Sequence, residues 1–329
     1  MNIFITGSNG FVGSALMYFF EEKGYSVIGI DNSSKCNKVS HPNTIIGDIR
    51  NEKNYEIFCN TQIDLIIHCA AKKDDFGISD ESYFSNNEYG TKILMQFASK
   101  KNIKKIIYYS TVSVYGHQDH TCDETAEYLS NTVYGDSKFA GEKEIWKWCE
   151  EDKKREVITL RPSVIYGPHN FANMYNLINQ MHKFPWFMIG DGSHIKSMVS
   201  LKNMIDMTYL AINQLKPGVE NFNCIDKPYF TVKQLMEVIS SNDGFSMPLI
   251  YIPIKIAVLI GKVFDVIGKL LNKELPINSD RMIKFGTSTD YRAEKIREAG
   301  YIQNHSIKDE FKRTCEWYLK ELQIKKNNK

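Results

Sequence analysis

Short apolar runs alternating with amphipathic stretches set the plan of the first half of the chain. Asn2 to Ile5 is strand-like, Ser14 to Lys23 has helical periodicity, and Tyr25 to Ile30 reads as a second strand ending in Asp31. Thr44 to Arg50 gives a short strand with an acid, Asp48, at its end. Asp64 to Ala71 is almost wholly apolar and opens into small residues, the pattern of a parallel strand covered on both faces. A helix carrying Asn87, Gly90 and Thr91 follows, with Ile93, Leu94 and Phe97 on one face, and then a strand over Ile106 to Thr111 that ends in hydroxyls. This rhythm predicts right-handed βαβ units and an α/β fold with a doubly wound parallel sheet. Past Tyr166-Gly167-Pro168 it breaks into shorter elements rich in aromatics and prolines. We expect a cofactor-binding domain over 1–167, to which parts of 195–226 return, and a smaller C-terminal substrate lobe over 168–329.

One stretch of that second half stands apart. Leu249 to Leu271 is apolar except for Lys255, Lys262, Asp265 and Lys269, which recur near helical spacing and leave a narrow polar stripe. Four charges would each cost about 2.5 to 3.5 kcal/mol at a bilayer centre, so a spanning helix is not expected. Two readings stand. The helix is buried in the lobe or in a subunit contact, the preferred reading because apolar stripes in soluble folds are usually core. Or it lies on a membrane with its lysines toward headgroups, a peripheral contact on the inner face of the plasma membrane.

Charge and cysteine content narrow the function classes. The formal net charge is +2, with 41 Lys and Arg against 39 Asp and Glu, which gives no electrostatic case for a nucleic-acid partner. The seven cysteines form no CxxC pair and no metal-ligand spacing with histidine, as expected of reduced thiols in a cytoplasmic protein without a metal. The N-terminus enters a strand with no charged n-region and apolar h-region, so no secretory signal is expected.

Candidate chemistry begins at the first turn, Thr6-Gly7-Ser8-Asn9-Gly10-Phe11-Val12-Gly13. Glycines at this spacing permit a tight strand-to-helix turn and let backbone approach a pyrophosphate, while the helix N-terminus offers unpaired N–H groups. Asp31, at the end of the second strand, suits the adenosine ribose hydroxyls of NAD and would repel the extra phosphate of NADP. Asp48 either meets the adenine edge or caps the helix from Asn51 onward. His68 reads as a satisfied core histidine. Tyr134 and Lys138 lie four apart on one helix, so the ammonium can sit beside the phenol; a nearby cation lowers a phenol pKa and makes Tyr134 a usable acid/base. Thr111, at a strand's carboxyl end, can hydrogen-bond the same substrate oxygen. Taken alone, a YxxxK spacing reads rather as a partly exposed tyrosine and a surface lysine on an ordinary amphipathic helix.

Together, GSNGFVG, Asp31, HCAA at 68–71, STVSVYG at 110–116, YGDSK at 134–138 and LRPSVIYGP at 160–168 resemble the extended short-chain dehydrogenase/reductases, the NAD-dependent epimerase/dehydratase family. The similarity extends over NFNCID at 221–226, Asp290, Lys295 and the Ala299-Gly300-Tyr301 turn. It implies a Rossmann-type domain with bound NAD, a C-terminal substrate lobe, and a homodimer formed through the helices after Asn87 and Tyr134. It also implies that Tyr134 is the acid/base, that Lys138 orients it and holds the nicotinamide ribose, and that Thr111 positions the reacting oxygen. The expected cofactor set is Gly7, Asn9, Gly10, Phe11, Val12, Gly13, Asp31, Asp48, Ile49, Ala70, Ala71, Asn87, Tyr134, Lys138 and Pro162; the expected substrate set is Thr111, Val112, Ser113, Asn173, Lys196 and Arg281.

Departures from the family's patterns refine this. Dehydratases resemble Thr-Asp-Glu where this chain has Thr111-Val112-Ser113, so elimination of water is disfavoured. Lys196 stands where UDP-sugar epimerases resemble an arginine; it keeps the charge but loses bidentate geometry toward a diphosphate. Arg281 falls about where their second phosphate-binding arginine lies, and Thr287 and Ser288 are small enough to leave room for a 2-acetamido group. The whole is most similar to bacterial 4-epimerases acting on N-acetylhexosamine diphosphates, lipid-linked or UDP-linked, for surface polysaccharide. A nucleotide-sugar 4-keto-reductase and a non-catalytic NAD-binding scaffold remain the alternatives.

Overall fold

The computed structural model of the chain describes residues 1–34, 40–73, 79–116, 118, 120–183, 187–270 and 279–327, with the side chains of 267, 269, 270, 280, 281, 284 and 285 outside the description. These residues form two compact units. The first comprises Met1–Ile165, Val199–Ile225 and Tyr291–Asn304, and the second Tyr166–Met198, Asp226–Asp290 and His305–Lys329.

The first unit is built on seven parallel strands: β1 (Asn2–Thr6), β2 (Ser26–Asp31), β3 (Thr44–Ile46), β4 (Leu65–His68), β5 (Lys105–Tyr109), β6 (Glu156–Pro162) and β7 (Gly218–Cys224). Their order is β7-β6-β5-β4-β1-β2-β3. The sheet reverses direction of growth at β1, which pairs with β2 on one side and β4 on the other. In such sheets the crevice beyond the carboxyl ends of the strands flanking the reversal is where ligands collect. The burial of β4, complete along Leu65–His68, explains its uninterrupted apolar sequence. Under the sheet, Phe4, Phe58, Tyr55 and Phe97 form an aromatic core, with Phe4 and Phe58 centroids 4.8 Å apart and Tyr55 stacked on Phe97 at 4.6 Å.

The second unit packs the helices Asn173–Lys183, Val232–Ser240 and Ile307–Asn327 around Tyr166, Phe311, Tyr318 and several methionines. Tyr166 stacks on Phe311 at 4.3 Å. Leu249 to Leu271 differs from expectation twice. It begins as a strand, Ile250–Ile252, paired in parallel with Phe187–Ile189, and turns helical only at Ile254–Leu270. Its large apolar side chains are also exposed rather than buried in the lobe. Ala257, Gly261 and Gly268 are buried, Val258 and Phe264 are half-buried, and Leu259, Val263 and Val266 are left outside. Among the described residues no helix is long and apolar enough to cross a membrane.

Candidate active site

Three adjacent strands, β1, β4 and β5, end together and deliver the site. After β1, Gly7 turns at φ +71°, a left-handed conformation that costs glycine little. A Cβ there would lie 2.7 Å from the Ala70 nitrogen, so the loop runs directly against the end of β4. Gly13, in the first turn of the following helix, lies so close that a Cβ would fall 2.0 Å from the Gly7 oxygen. Gly10 N-caps this helix, Phe11–Glu22, without a side-chain cap, and no acid lies in its first turn. The carboxylate of Asp31 is fixed from two sides, accepting from the backbone N–H of Asn9 at 2.9 Å and of Ser33 at 2.9 Å. Asn9 is almost wholly buried and serves the loop itself, donating to the Ser33 carbonyl and accepting from the Ser40 hydroxyl.

Asp48 corrects one of its two expected roles. Asn51, not Asp48, caps the following turn, its side chain accepting from the Lys53 N–H at 3.1 Å. The carboxylate of Asp48 instead pairs with Arg50, whose side-chain hydrogen bonds hold it below the usual carboxylate range. Ile49 is buried, its carbonyl accepting from the Tyr55 hydroxyl.

A buried polar chain joins β1 to the helix Val133–Glu150. His68 lies between Thr6 (2.6 Å) and Thr91 (3.0 Å), and burial holds its imidazole neutral, far below the ordinary histidine pKa. Thr91 donates to the Asn87 carbonyl at 2.6 Å. The Asn87 amide accepts from the Lys72 N–H (2.7 Å) and donates to the Lys72 carbonyl and to Ser137 Oγ (2.9 Å). Ser137 in turn donates to the carbonyl of Tyr134 at 2.8 Å. Asn87 lies in a π-helical turn, Ser85–Tyr89, whose wider winding is found most often at functional sites. Thr6, Thr91 and Ser137 are members of this chain that sequence patterns do not single out; the one available signal was a hydroxyl at inward-facing positions of otherwise apolar elements.

Lys138 is wholly buried. Its Nζ stands 4.2 Å from the centroid of the Tyr108 ring with no hydrogen-bond acceptor among the described residues, and burial lowers its pKa to about 7 against the opposing charge of Glu142. Glu142 is itself engaged, with both oxygens on the guanidinium of Arg161 in a pair with no exposed surface. Arg161 also donates to the hydroxyls of Tyr115 (2.8 Å) and Tyr128 (2.5 Å). Thr111, beyond β5, accepts from the Ser113 N–H at 3.1 Å and so caps the turn Val112–Tyr115; Val112 is buried and no carboxylate stands on that turn. Pro162 closes β6 and is buried. Tyr83 meets the Tyr134 ring edge-on at 6.4 Å.

The remaining expected residues belong to the second unit. Asn173 begins its helix and is exposed. Lys196 is mostly buried, donates from Nζ to the Thr287 carbonyl at 2.5 Å, and has its pKa lowered by burial to about 8. Ser288 Oγ reaches the Ile195 carbonyl at 3.4 Å, so Lys196, Thr287 and Ser288 are gathered in one place. Arg281 has its backbone in the helix Ser279–Gly286 and its side chain outside the described residues.

These features fit NAD. The Gly7 and Gly13 approaches leave no room for side chains where a pyrophosphate would cross the helix N-terminus, Asp31 is held by the same loop, and the Lys138 ammonium is buried without an acceptor among the described residues. Residues 3–224 match the model of the family described as "NAD dependent epimerase/dehydratase family". The chain belongs to this family. NAD is therefore its cofactor, and the chain resembles the family's sugar-converting enzymes over its full length. It is 28% identical over 318 residues to the N-acetyl-α-D-glucosaminyl-diphospho-ditrans,octacis-undecaprenol 4-epimerase of Escherichia coli O157:H7, covering 96% of this chain and 95% of that one. To the UDP-glucose 4-epimerase of Halalkalibacterium halodurans it is 27% identical, over 75% of this chain and 82% of the other. In fold it is similar to the UDP-glucose 4-epimerase of Thermotoga maritima, with a TM-score of 0.77 at 22% identity, covering 98% of this chain and all of that one.

Proposed function

We propose that the chain is a sugar 4-epimerase with retained NAD that converts N-acetylglucosaminyl to N-acetylgalactosaminyl diphosphate, on a polyprenyl carrier or on UDP, in the cytoplasm and for surface polysaccharide. The observation that carries this reading is the end-to-end similarity to the E. coli 4-epimerase, which spans the second unit as well as the first. The turn after Thr111 supports it, because Val112 and Ser113 supply no acid for removing water.

In this mechanism the Tyr134 phenolate takes the proton of the C4 hydroxyl while Thr111 hydrogen-bonds the same oxygen. NAD, held by the glycine loop and Lys138, would supply a reversible hydride acceptor for C4. The flat 4-keto sugar turns over between the two transfers, and Tyr134 returns the proton to the opposite epimer. Lys138, in its charged form, lowers the phenol pKa and offers its ammonium to the nicotinamide ribose. Gly7, Gly10 and Gly13 admit the pyrophosphate, Asp31 takes the adenosine ribose hydroxyls, and Lys196 takes a phosphate of the substrate. The active species is a homodimer joined through the helices that follow Asn87 and Tyr134, a state that light scattering reads directly.

Purified protein incubated with UDP-GlcNAc and with lipid-linked GlcNAc, without added cofactor, should give the galacto epimer from one of them. Absence of epimer from both, with consumption of a 4-ketosugar only when NADH or NADPH is supplied, would assign a reductase instead.

A further inference from the structure

The helix Ile254–Leu270 is turned inside out relative to an ordinary amphipathic helix of a soluble protein. Leu259, Val263 and Val266 are each more than half exposed, at 63%, 54% and 58%, and Ile256 and Ile260 stand beside them at 51% and 40%. Successive positions turn by about 100°, so these five side chains share one face about 120° wide. Lys255 and Lys262, both exposed, fall on one edge of that face, within about 20° of each other. The helix's acid points elsewhere. Asp265 is half-buried, and its carboxylate accepts from the N–H of Ser279 at 3.3 Å, at the start of the next helix. The strand that leads into the helix extends the apolar surface, with Leu249 at 78% and Ile250 at 59% exposed. Isolated exposed apolar residues need no explanation, but a continuous face of this size marks an interaction surface.

We infer that this face is a membrane-docking surface that lies in the headgroup region of an anionic phospholipid bilayer, with its apolar row among the acyl chains and Lys255 and Lys262 at the phosphates. The charge pattern selects a lipid surface over a second copy of the chain. Pairing the face with itself in antiparallel fashion about a two-fold axis would bring four lysines to one side of the seam with no acid on the described face to answer them, and parallel pairing would leave each pair equally unanswered, whereas an anionic headgroup layer answers each. Length and composition select lying over crossing: 17 residues span about 25 Å, short of the hydrocarbon thickness, and the lysines interrupt the stretch. The inference rests on the second unit's surface and does not depend on which sugar is converted.

Flotation of the full chain with vesicles tests it. The protein should rise with phosphatidylethanolamine/phosphatidylglycerol vesicles, rise much less with phosphatidylcholine alone, and lose part of its binding in high salt. Lys255→Gln with Lys262→Gln should weaken partitioning onto the anionic vesicles by about 30-fold, and Leu259→Ser with Val263→Ser should abolish it. All four positions are exposed, so circular dichroism and turnover of a water-soluble UDP-sugar should be unchanged. A folded protein that floats with neither vesicle overturns the inference. So does a protein that floats equally well after both pairs of substitutions, or an oligomer that Leu259→Glu dissociates, which would give the face to a second copy.

Discussion

Among the described residues, Lys138 of the first unit is wholly buried and Lys196 of the second is mostly so, and the two are housed in opposite ways. Lys138 lies against the face of Tyr108 with its Nζ lacking an acceptor, and the nearest carboxylate, Glu142, is taken by Arg161. Lys196 donates to the backbone carbonyl of Thr287, with Ser288 nearby. The first lysine is left for a partner, with the carboxylate that acts on it, Glu142, held by Arg161. The second stands among small, substitutable side chains. Under the proposed function, the first lysine serves the chemistry of the sheet unit and the second the choice of substrate.

Loss of the phenol should break this division most severely. Tyr134→Phe is expected to lower kcat by about 10²- to 10⁴-fold, the range of acid/base assistance, while the NAD released on denaturation stays at one per chain. Undiminished turnover would remove Tyr134 from the chemistry. Next comes the frame that holds Lys138's surroundings. Arg161→Met leaves Glu142 charged and buried, and should lower the unfolding free energy by about 3 to 5 kcal/mol in urea titrations, with Glu142→Met in the same chain restoring much of it. If the single variant loses less than the double, the pair is not the strut it looks to be.

In the second unit, Lys196→Ala should raise KM for a sugar diphosphate by about 10- to 100-fold with little change in kcat, and Lys196→Arg should recover most of the loss. A fall in kcat alone would place Lys196 in the reaction rather than in binding.

A pH dependence, read as a slope rather than a loss, sets the two lysines apart. Lys138 has a pKa of about 7 in the folded protein and near 10.5 when unfolded, so between these values the unfolded chain binds more protons and stability rises with pH. The slope should reach roughly 1 kcal/mol per pH unit and fade toward pH 10. Lys196 adds a slope of the same sign that begins about one pH unit higher. Urea midpoints from pH 6.5 to 9.5 should lose the early part of the rise in Lys138→Met and keep it in Lys196→Met. The same early slope in both variants would mean that Lys138 is charged throughout.

Much of the sheet unit could be read from sequence because its signals are local. The apolar run of Leu65–His68 states its own burial, and Gly7, Gly10 and Gly13 lie within one turn. The link from Asn87 to Ser137 joins positions 50 residues apart, and nothing in either segment announces the other. Asp48 was ambiguous because an acid followed closely by a helical turn fits both a cap and a ligand; the adjacent Arg50 decided against the cap. The stretch after Leu249 misled for a different reason. Periodicity reveals that a helix has two faces but not which one the fold takes inward, and here the face of Ala257, Gly261 and Gly268 is buried while that of Leu259, Val263 and Val266 is exposed.

The chain passes between the two units five times, after Ile165, Met198, Ile225, Asp290 and Asn304. The units are thus braided in sequence although each is compact in space. A single protease cut at any crossing gives two fragments that still share the core of at least one unit, so under native conditions nicked protein should purify as one species. No truncation yields either unit whole, and a chimera that exchanges the second unit with a relative must replace three separate segments at once. New substrates in such a protein therefore arise by point changes within the braid rather than by fusion of a ready-made module.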